Sequence, residues 1–299
     1  PKVFMRKAFF ELHLAILIAG WTGIFGKLID MSAGLLVFWR VALAAALLWA
    51  IALVKKNLER TSAKTALGMC GAGVLLMLSW AAFYAAIKTS NVSVGVVAFS
   101  SVGFFTAIIE PLMTHRRINV RELAFSLVTI AGIALVFHFD TRYRLGIIFG
   151  LLSGLSAAIL AVFFKSFRTR YATMTVLTWQ LTGAFVSALV LLPLYAHLMP
   201  PEPLIPTLKN ALYLVVFSSI FTIGMYFLQI QALEKISAFT VNLSFNLEPV
   251  YSIVIAMILF GEARELNWSF WAGLALIALS VGLQTASVLK LQKKARAKS

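Results

Sequence analysis

The amino-acid sequence predicts an all-α membrane protein of ten transmembrane helices, arranged as two inverted five-helix repeats around a central cavity. Three observations predict this fold class: the composition, the spacing of the apolar runs and a weak internal repeat. Of the 299 residues, 61% are hydrophobic and 12% are charged, and the mean hydropathy is +0.92. Soluble domains are about 45–50% apolar and about 25% charged, so this chain is suited to a lipid bilayer.

The apolar runs have the length that a helix needs to cross a bilayer, which is about 20 residues. Short charged or turn-forming segments separate them. This pattern favours helical hairpins, because the strands of a membrane barrel are about half as long and alternate in polarity. The predicted spans, in chain order, are 9–29, 34–54, 66–87, 92–114, 121–138, 145–164, 173–195, 210–232, 236–260 and 268–289.

The basic residues predict the orientation of these spans. With the N-terminus in the cytoplasm, 19 of the 26 Lys and Arg residues fall in cytoplasmic segments. Cytoplasmic segments of membrane proteins carry this excess, so we expect both termini on the cytoplasmic side of an inner (plasma) membrane. The net charge of +15 then reflects segments that face anionic lipid, and we expect no nucleic-acid partner.

The two halves of the chain resemble each other weakly. Residues 89–107 align with 235–253, and residues 39–47 align with 179–187. The alignments and the span ends place these residues opposite each other: Phe99 and Phe245, Ser100 and Asn246, Arg40 and Gln180, and Lys27 and Lys165.

Five spans per repeat is an odd number, so the second copy enters the membrane upside down. We predict a first five-helix repeat over 1–143 and a second, inverted repeat with a basic cytoplasmic tail over 144–299. Inverted repeats are typical of secondary transporters, which bind substrate near the midplane between the two copies.

The last hairpin carries the strongest family signal. It reads SAFTVNLSFNLEPVYSIVIAMILFGE over 237–262, with Pro249 in mid-helix and Gly261-Glu262 at its end. Together with Trp21 and Lys27 in span 1 and Arg40 in span 2, it resembles an EamA-type member of the drug/metabolite transporter superfamily.

The first half departs from this pattern. Gly103 stands at the position of Pro249, and His115-Arg116 replace Gly-Glu. The resemblance implies a basket of helices around a central cavity, worked by alternating access, with spans 5 and 10 at the periphery. Relatives are described for amino acids, drugs, sugars and other metabolites, so the resemblance does not identify the substrate.

Glu248 is the main candidate site residue. It lies in the middle of span 9, where a charge costs about 2.5–3.5 kcal/mol or more unless it faces a cavity, has a partner or is protonated. Pro249 breaks the helix beside it, and Asn242 and Asn246 make one face of the span polar. The predicted role is substrate binding or coupling to protons. The alternative is a structural Glu, held by a helix terminus or an Arg.

Further candidates lie on other spans. Arg40 either binds a substrate carboxylate or extends to the outer interface, and Gln180 is its uncharged counterpart in the repeat. Trp80 and Tyr84 in span 3 and Tyr226 in span 8 are the aromatic cavity candidates, since these two spans are related by the repeat. Ser100 is a further substrate-binding candidate, opposite Asn246.

Other polar residues have simpler expected roles. Lys27 and Lys165 end their spans and are expected to extend to the interface. Glu110 is expected to pair with the neighbouring Arg116 or Arg117. At least one of two glutamines in span 8 is expected to face the cavity; they are Gln229 and Gln231.

We expect no cofactor, no metal and no enzymatic activity. The four histidines lie near span ends without the paired spacing of a metal site, and the one cysteine, Cys70, is expected to be a small core residue. No glycine-rich phosphate loop and no nucleophile elbow is present. The expected partners are a small-molecule substrate and the bilayer, for a monomer or homodimer.

The sequence therefore predicts a secondary active exporter of small organic metabolites, such as amino acids or related amphipathic compounds, with Glu248 as the candidate coupling residue. An importer or facilitator with the same fold is the main alternative. A lipid-headgroup flippase and a membrane enzyme remain as further alternatives.

Overall fold

A computed structural model of the chain describes residues 2–115, 117–233 and 245–296. Within these ranges, the regular structure is entirely helical. The α-helices are α1 Lys2–Leu28, α2 Ala33–Lys55, α3 Ala63–Thr89, α4 Val92–Phe99, α5 Val102–Met113, α6 Val120–Phe139, α7 Arg144–Arg168, α8 Thr173–Leu198, α9 Leu208–Val216, α10 Met225–Leu233, α11 Glu248–Phe260 and α12 Trp268–Arg296. Short 3₁₀ turns at Thr141–Tyr143, Phe245–Leu247 and Glu262–Arg264 and a π-helix at Phe217–Gly224 complete the described elements.

Eight helical segments are long and apolar enough to cross a membrane, and they coincide with the first eight predicted spans. The last two predicted spans are represented by the apolar helices Glu248–Phe260 and Trp268–Leu283, which are shorter within the described residues. Residues 234–244, which hold the first part of the predicted ninth span, lie outside the described residues.

The charges of the sequence predict which ends of these helices face outward. Throughout, "outer end" denotes the helix ends at the linkers 29–32, 90–91, 140–143, 199–207 and 261–267. "Cytoplasmic end" denotes the opposite helix ends. Both terms follow the predicted orientation.

Two of the predicted spans contain a turn within their described residues, and they are here called the interrupted spans. The fourth is divided into α4 and α5 by a turn at Ser100 and Ser101. In the ninth, the 3₁₀ turn Phe245–Leu247 precedes α11, so Pro249 lies in the first turn of a helix. The prediction of Pro249 in mid-helix is therefore wrong. A proline is tolerated in the first turn, because the N–H that it lacks has no partner within the helix there.

Glycines let the interrupted spans approach their neighbours closely. Gly146, Gly150 and Gly154 recur every fourth residue on α7. Gly150 and Gly154 face the α4–α5 segment, and Gly146 faces Ser90 and the end of α3. A Cβ atom on Gly150 would lie 2.4 Å from the Cβ of Ala98. Small residues at this spacing allow two helix backbones to come into contact, which favours association in a membrane.

The other interrupted span has an equivalent neighbour. Helix α11 packs on α1, where Gly20 and Gly23 face Tyr251 and Ser252. Both contacts join the first helix of one predicted repeat to the interrupted span of the other. Outside this pair of contacts, α6 packs on α12, where Thr129 Oγ1 and the hydroxyl of Ser280 form a 2.8 Å hydrogen bond.

Candidate functional site

A cavity of about 390 Å³, here called the central cavity, lies where the two interrupted spans meet. The turn between α4 and α5 contributes Phe99 and Ser100 to its wall. The 3₁₀ turn and α11 contribute Phe245, Glu248 and Pro249. Phe99 and Phe245 are repeat partners in the sequence alignment, so the two interruptions lie at corresponding positions. Interrupted helices place free backbone groups and helix ends beside a substrate, as in many transporters.

The polar part of the central cavity is centred on α11. Glu248 is the first residue of this helix and is half-buried. Ser252 lies one turn further along, so both side chains are on the same face. Ser252 is 2% exposed, and its hydroxyl has no hydrogen-bond partner among the described residues. A carboxylate and a free hydroxyl therefore face the same space.

The remainder of the wall is amphipathic. Aromatic rings and hydroxyl groups alternate around it, with these residues: Thr22, Ser79, Trp80, Phe83, Thr129, Ser153 and Tyr226. Ser79 and Ser153 join α3 to α7, since each hydroxyl donates to the carbonyl of the other residue, at 3.1 and 2.7 Å. Such a wall suits a ligand that has both an apolar body and polar groups.

Helices α6 and α12 also reach the central cavity, through Thr129, Ile277 and Val281. They correspond to the fifth and tenth predicted spans. Their peripheral position stays an expectation, because the two helices pack mainly on each other while these three residues reach the cavity wall. Their close mutual packing at Gly132 and Gly273 brings both of them to the cavity wall.

Arg40 lies behind the wall rather than in it. Its side chain is 3% exposed, and its guanidinium stacks on Trp80 with 3.5 Å between the central carbon and the ring centroid. It donates to the hydroxyl of Tyr84 at 2.5 Å and twice to Thr222 Oγ1, at 3.2 and 3.1 Å. The alternative that Arg40 extends to the interface is therefore wrong.

Arg40 lies near enough to Glu248 for their opposite charges to attract each other. Among the described residues, however, no ion pair within 4.0 Å joins them. Tyr84 is 0% exposed and separates Arg40 from solvent on one side. The guanidinium thus contributes positive potential to the site while its hydrogen-bond donors are held by Tyr84 and Thr222.

A second cavity of about 240 Å³, here called the side cavity, adjoins the first. The two cavities share Leu76, Ala157, Leu160 and Tyr226 as wall residues. The side cavity extends between α7, α8 and α10 to the cytoplasmic ends of α7 and α8, where Arg168 and Thr173 lie. Gln180 lines this side cavity, whereas its repeat partner Arg40 lines neither cavity.

At the outer end, Glu262 joins three of the predicted spans. Its carboxylate pairs with Lys27 Nζ at 3.0 Å and accepts hydrogen bonds from the backbone N–H groups of Val92 and Ser93, at 3.0 and 2.9 Å. The hydroxyl of Ser93 donates to it as well, at 2.7 Å. Glu262 thus caps the N-terminus of α4, and Lys27 is an ion-pair partner as well as an interfacial residue.

The corresponding pair at the cytoplasmic end is more open. Lys165 Nζ lies 2.6 Å from Glu110, with side-chain exposures of 66% and 32%. We expected Glu110 to pair with Arg116 or Arg117. Among the described residues its partner is Lys165, which is distant in sequence, and Arg116 lies outside them.

The structure therefore brings five predicted site residues into one wall: Trp80, Ser100, Tyr226, Glu248 and Pro249. Asn242 lies outside the described residues, and only the backbone of Asn246, in the 3₁₀ turn, is described. The same holds for Gln229 on α10, while Gln231 is exposed.

Sequence reasoning missed Thr22, Ser79 and Ser153. Their only signal is a hydroxyl within an apolar run, which also occurs at sites without function. Across the described ranges, no three side chains of His, Cys, Asp or Glu are grouped as a metal site requires.

The comparisons with known proteins agree with this architecture. The model of the EamA-like transporter family matches the chain twice, over residues 7–138 and 144–285. One solved crystal structure, described only as that of a protein, is similar to this chain with a TM-score of 0.63 and 19% sequence identity. The similarity covers 95% of this chain and 98% of the other chain. At that identity, the likeness concerns the fold alone. None of the curated proteins matches the chain significantly.

Proposed function

Because this chain belongs to the EamA-like transporter family, we propose that it is a secondary active exporter of small organic metabolites that works by alternating access. We propose amino acids or related amphipathic compounds as the substrates. The observation that carries the proposal is the central cavity, which places Glu248 and Ser252 beside aromatic rings at the meeting point of the two interrupted spans.

The size of the central cavity supports a small-molecule substrate. Ligand sites have volumes of about 300–1,000 Å³, and the central cavity, at about 390 Å³, lies at the lower end of that range. Its lining combines aromatic surface with a carboxylate and hydroxyl groups. These are the groups that contact the apolar body and the polar groups of an amphipathic metabolite.

The distribution of closing contacts supports loading from the cytoplasm. At the outer end, Glu262 ties Lys27 to the N-terminus of α4, and Lys88 Nζ donates to the carbonyl of Ile29 at 2.6 Å. Toward the cytoplasmic end, the side cavity continues from the central cavity to Arg168. In the predicted orientation, this is the conformation in which an exporter takes up its substrate.

Glu248 is the candidate coupling residue. A carboxylate in the wall of an alternating cavity can take up a proton from one side of the membrane and release it to the other. Substrate that requires the deprotonated form then moves against the proton flow. Glu110 and Glu262 are not candidates for coupling, because both are held in ion pairs at helix ends.

Metabolite profiling tests the proposal. Cells that make the wild-type protein, Glu248→Gln or Glu265→Gln at equal membrane levels are compared for the composition of their medium. Glu265 is a matched control, because it is an exposed glutamate in the linker after α11. We expect a compound to be enriched in the medium with the wild type and with Glu265→Gln, and to remain at background with Glu248→Gln.

Other outcomes select the alternatives. Enrichment with all three proteins would keep export and remove Glu248 from coupling. Depletion of a compound from the medium would indicate an importer or facilitator. An unchanged medium together with a changed lipid distribution between the leaflets would indicate a flippase. Uphill transport by reconstituted protein without a proton gradient would contradict proton coupling.

A further inference from the structure

The proposed function assigns no role to the polar residues that line the side cavity. Of the residues that line it, the polar ones are Arg168, Thr173, Gln180 and Tyr226, and the others are apolar. Among the described residues of this lining, the only charge is positive. The central cavity has the opposite character, because Glu248 is the only charged residue that the described part of the chain contributes to its lining.

Gln180 is the informative residue in this lining. It lies on α8, is 2% exposed and faces the side cavity. Its side-chain Nε2 is buried and has no hydrogen-bond partner among the described residues. A buried amide donor without a partner is unfavourable, so this position favours a ligand that brings an acceptor.

The position of Gln180 is fixed by the close contact between α3 and α8. Gly73 on α3 lies so near that a Cβ atom on it would be 2.0 Å from the carbonyl oxygen of Gln180. The backbone of Gln180 therefore cannot move toward α3, and the amide stays at the wall of the side cavity. This rigidity is what a binding residue needs in order to discriminate between ligands.

Arg168 is the last residue of α7 and is exposed. No hydrogen bond or ion pair within the described ranges involves its guanidinium, in contrast to Arg40, which is held by Tyr84 and Thr222. The guanidinium of Arg168 lies at the mouth of the side cavity, and the amide of Gln180 lies further inside. Both groups offer hydrogen-bond donors to a ligand that enters from the cytoplasmic end. A guanidinium binds a carboxylate or a phosphate group through two parallel hydrogen bonds.

We propose that the side cavity is a carboxylate subsite at the cytoplasmic approach to the central cavity, in which Arg168 attracts the carboxylate and Gln180 Nε2 donates to it. The substrates are then amphipathic carboxylic acids, amino acids included, and simple amines are excluded. This inference rests on the proposed function for its direction of transport. The shared residues Leu76, Leu160 and Tyr226 let the apolar body of the substrate stay in contact with the wall as it moves inward.

Binding to the purified full-length protein in nanodiscs tests the subsite without requiring transport. The probes are matched sets: L-phenylalanine, 3-phenylpropionate and phenethylamine, and L-leucine, 4-methylpentanoate and 3-methylbutylamine. Phenyl phosphate tests whether a different anion is preferred. Isothermal titration gives the dissociation constants for the wild type, Gln180→Met and Arg168→Gln.

Each variant has a matched control. Gln231→Met removes an exposed amide from α10, and Arg170→Gln removes an exposed guanidinium two residues beyond Arg168. Neither control residue lines a cavity. Arg168→Gln changes an exposed side chain, so it reports on the subsite even if Gln180→Met fails to fold.

We expect the wild type to bind members of the carboxylate series more tightly than the corresponding amines. Gln180→Met should weaken carboxylate binding about tenfold, since a hydrogen bond to a charged group contributes about 1.5 kcal/mol or more. Arg168→Gln should weaken it several-fold and reduce its dependence on salt. The control variants should bind like the wild type.

Three results would overturn the subsite: wild-type binding of the amines but of no carboxylate, wild-type binding of no probe in the panel, or tighter binding of phenyl phosphate than of the carboxylates. Equal binding by Gln180→Met and the wild type would overturn the role of Gln180. Carboxylate binding that depends on Gln180, with no metabolite enriched in the medium, would keep the subsite and remove export. If the wild type exports a metabolite and Gln180→Met binds carboxylates as tightly as the wild type does, the subsite is overturned and the proposed export stands.

Discussion

Glu262 illustrates, at the scale of single residues, how the protein holds a charge inside a helix bundle. Its carboxylate is fully buried and receives two backbone N–H groups, a hydroxyl and an ammonium group. A buried carboxylate is tolerated only when its oxygens are satisfied in this way. Gly261 permits the geometry, because it ends α11 at a φ of 67° and turns the chain so that Glu262 points back at α4.

We predict that Glu262→Gln destabilises the protein although the side chain keeps its size. The amide has one acceptor oxygen in place of two and brings an NH₂ group toward backbone donors. The loss should be about 2–3 kcal/mol in the free energy of unfolding. Thermal or denaturant unfolding in detergent measures it, with the exposed Glu265→Gln as the control. Equal stability of the two variants would show that the cap at α4 does not stabilise the fold.

Arg40 illustrates the opposite use of a charge at the same scale. Its guanidinium is stacked on Trp80 and held by Tyr84 and Thr222, so it acts on the central cavity through its potential. A lysine has neither the planar fork nor the stacking surface that this position uses.

At the scale of helix pairs, the close packing of α7 on the α4–α5 segment depends on glycines. Helix α7 presents Gly150 and Gly154 to the interrupted span, and added Cβ atoms on them would lie 2.4 Å from Ala98 Cβ and 2.5 Å from Ser101 Oγ. Side chains on these glycines would push the α4–α5 turn away from α7. Ser100 in that turn would move with it, and the central cavity would lose part of its wall.

We predict that Gly150→Leu prevents this packing, whereas Gly71→Leu is tolerated. A Cβ atom on Gly71 has no heavy atom within 4 Å, so a leucine there faces open space. Overpacking a close contact typically costs about 1–3 kcal/mol, and a leucine at a contact of backbone against Cβ lies at the upper end of that range. The fraction of folded protein recovered by size-exclusion chromatography in detergent measures the difference. Equal recovery of both variants would contradict the close contact at α7.

The whole molecule is asymmetric between its two ends. The outer end is closed by the Lys27–Glu262 pair, whose carboxylate is fully buried. The Lys165–Glu110 pair at the cytoplasmic end is more exposed. In the predicted repeat, Arg116 stands where the first half would need an equivalent of Glu262. Because an arginine replaces the glutamate, the cytoplasmic end has no carboxylate at the position that corresponds to Glu262.

Thiol labelling tests this asymmetry and the predicted orientation, in a Cys70→Ala background. We expect Thr173→Cys, in the side cavity, to react with a membrane-impermeant reagent added to inside-out vesicles. Leu36→Cys, which replaces a fully buried residue at the outer end of α2, should be unreactive from either side. Adding Glu262→Gln should open the outer end and make Leu36→Cys reactive from outside.

Ile205→Cys is the control for this experiment, because Ile205 is 79% exposed in the linker between α8 and α9. It should react only from outside in the orientation that the charges predict. Labelling of Ile205→Cys only from inside would reverse the orientation of the whole chain. Labelling of Leu36→Cys without Glu262→Gln would contradict a closed outer end.

The sequence by itself determined the membrane class, eight of the spans and the position of Glu248 inside an apolar run. These follow from quantities that are local in sequence: the length of an apolar run, and the cost of a charge within it. The weak repeat also pointed to Ser100, which the structure places in the central cavity with Glu248.

Only the tertiary structure decided which polar residues meet. Lys27 and Glu262 are 235 positions apart, and Arg40 and Thr222 are 182 positions apart. A membrane helix is apolar on most of its faces, so its sequence does not reveal how it is rotated about its axis. The packing of neighbouring helices sets the rotation of each helix and its close approach to others at glycines. This packing placed Gln180 in the side cavity and buried Arg40.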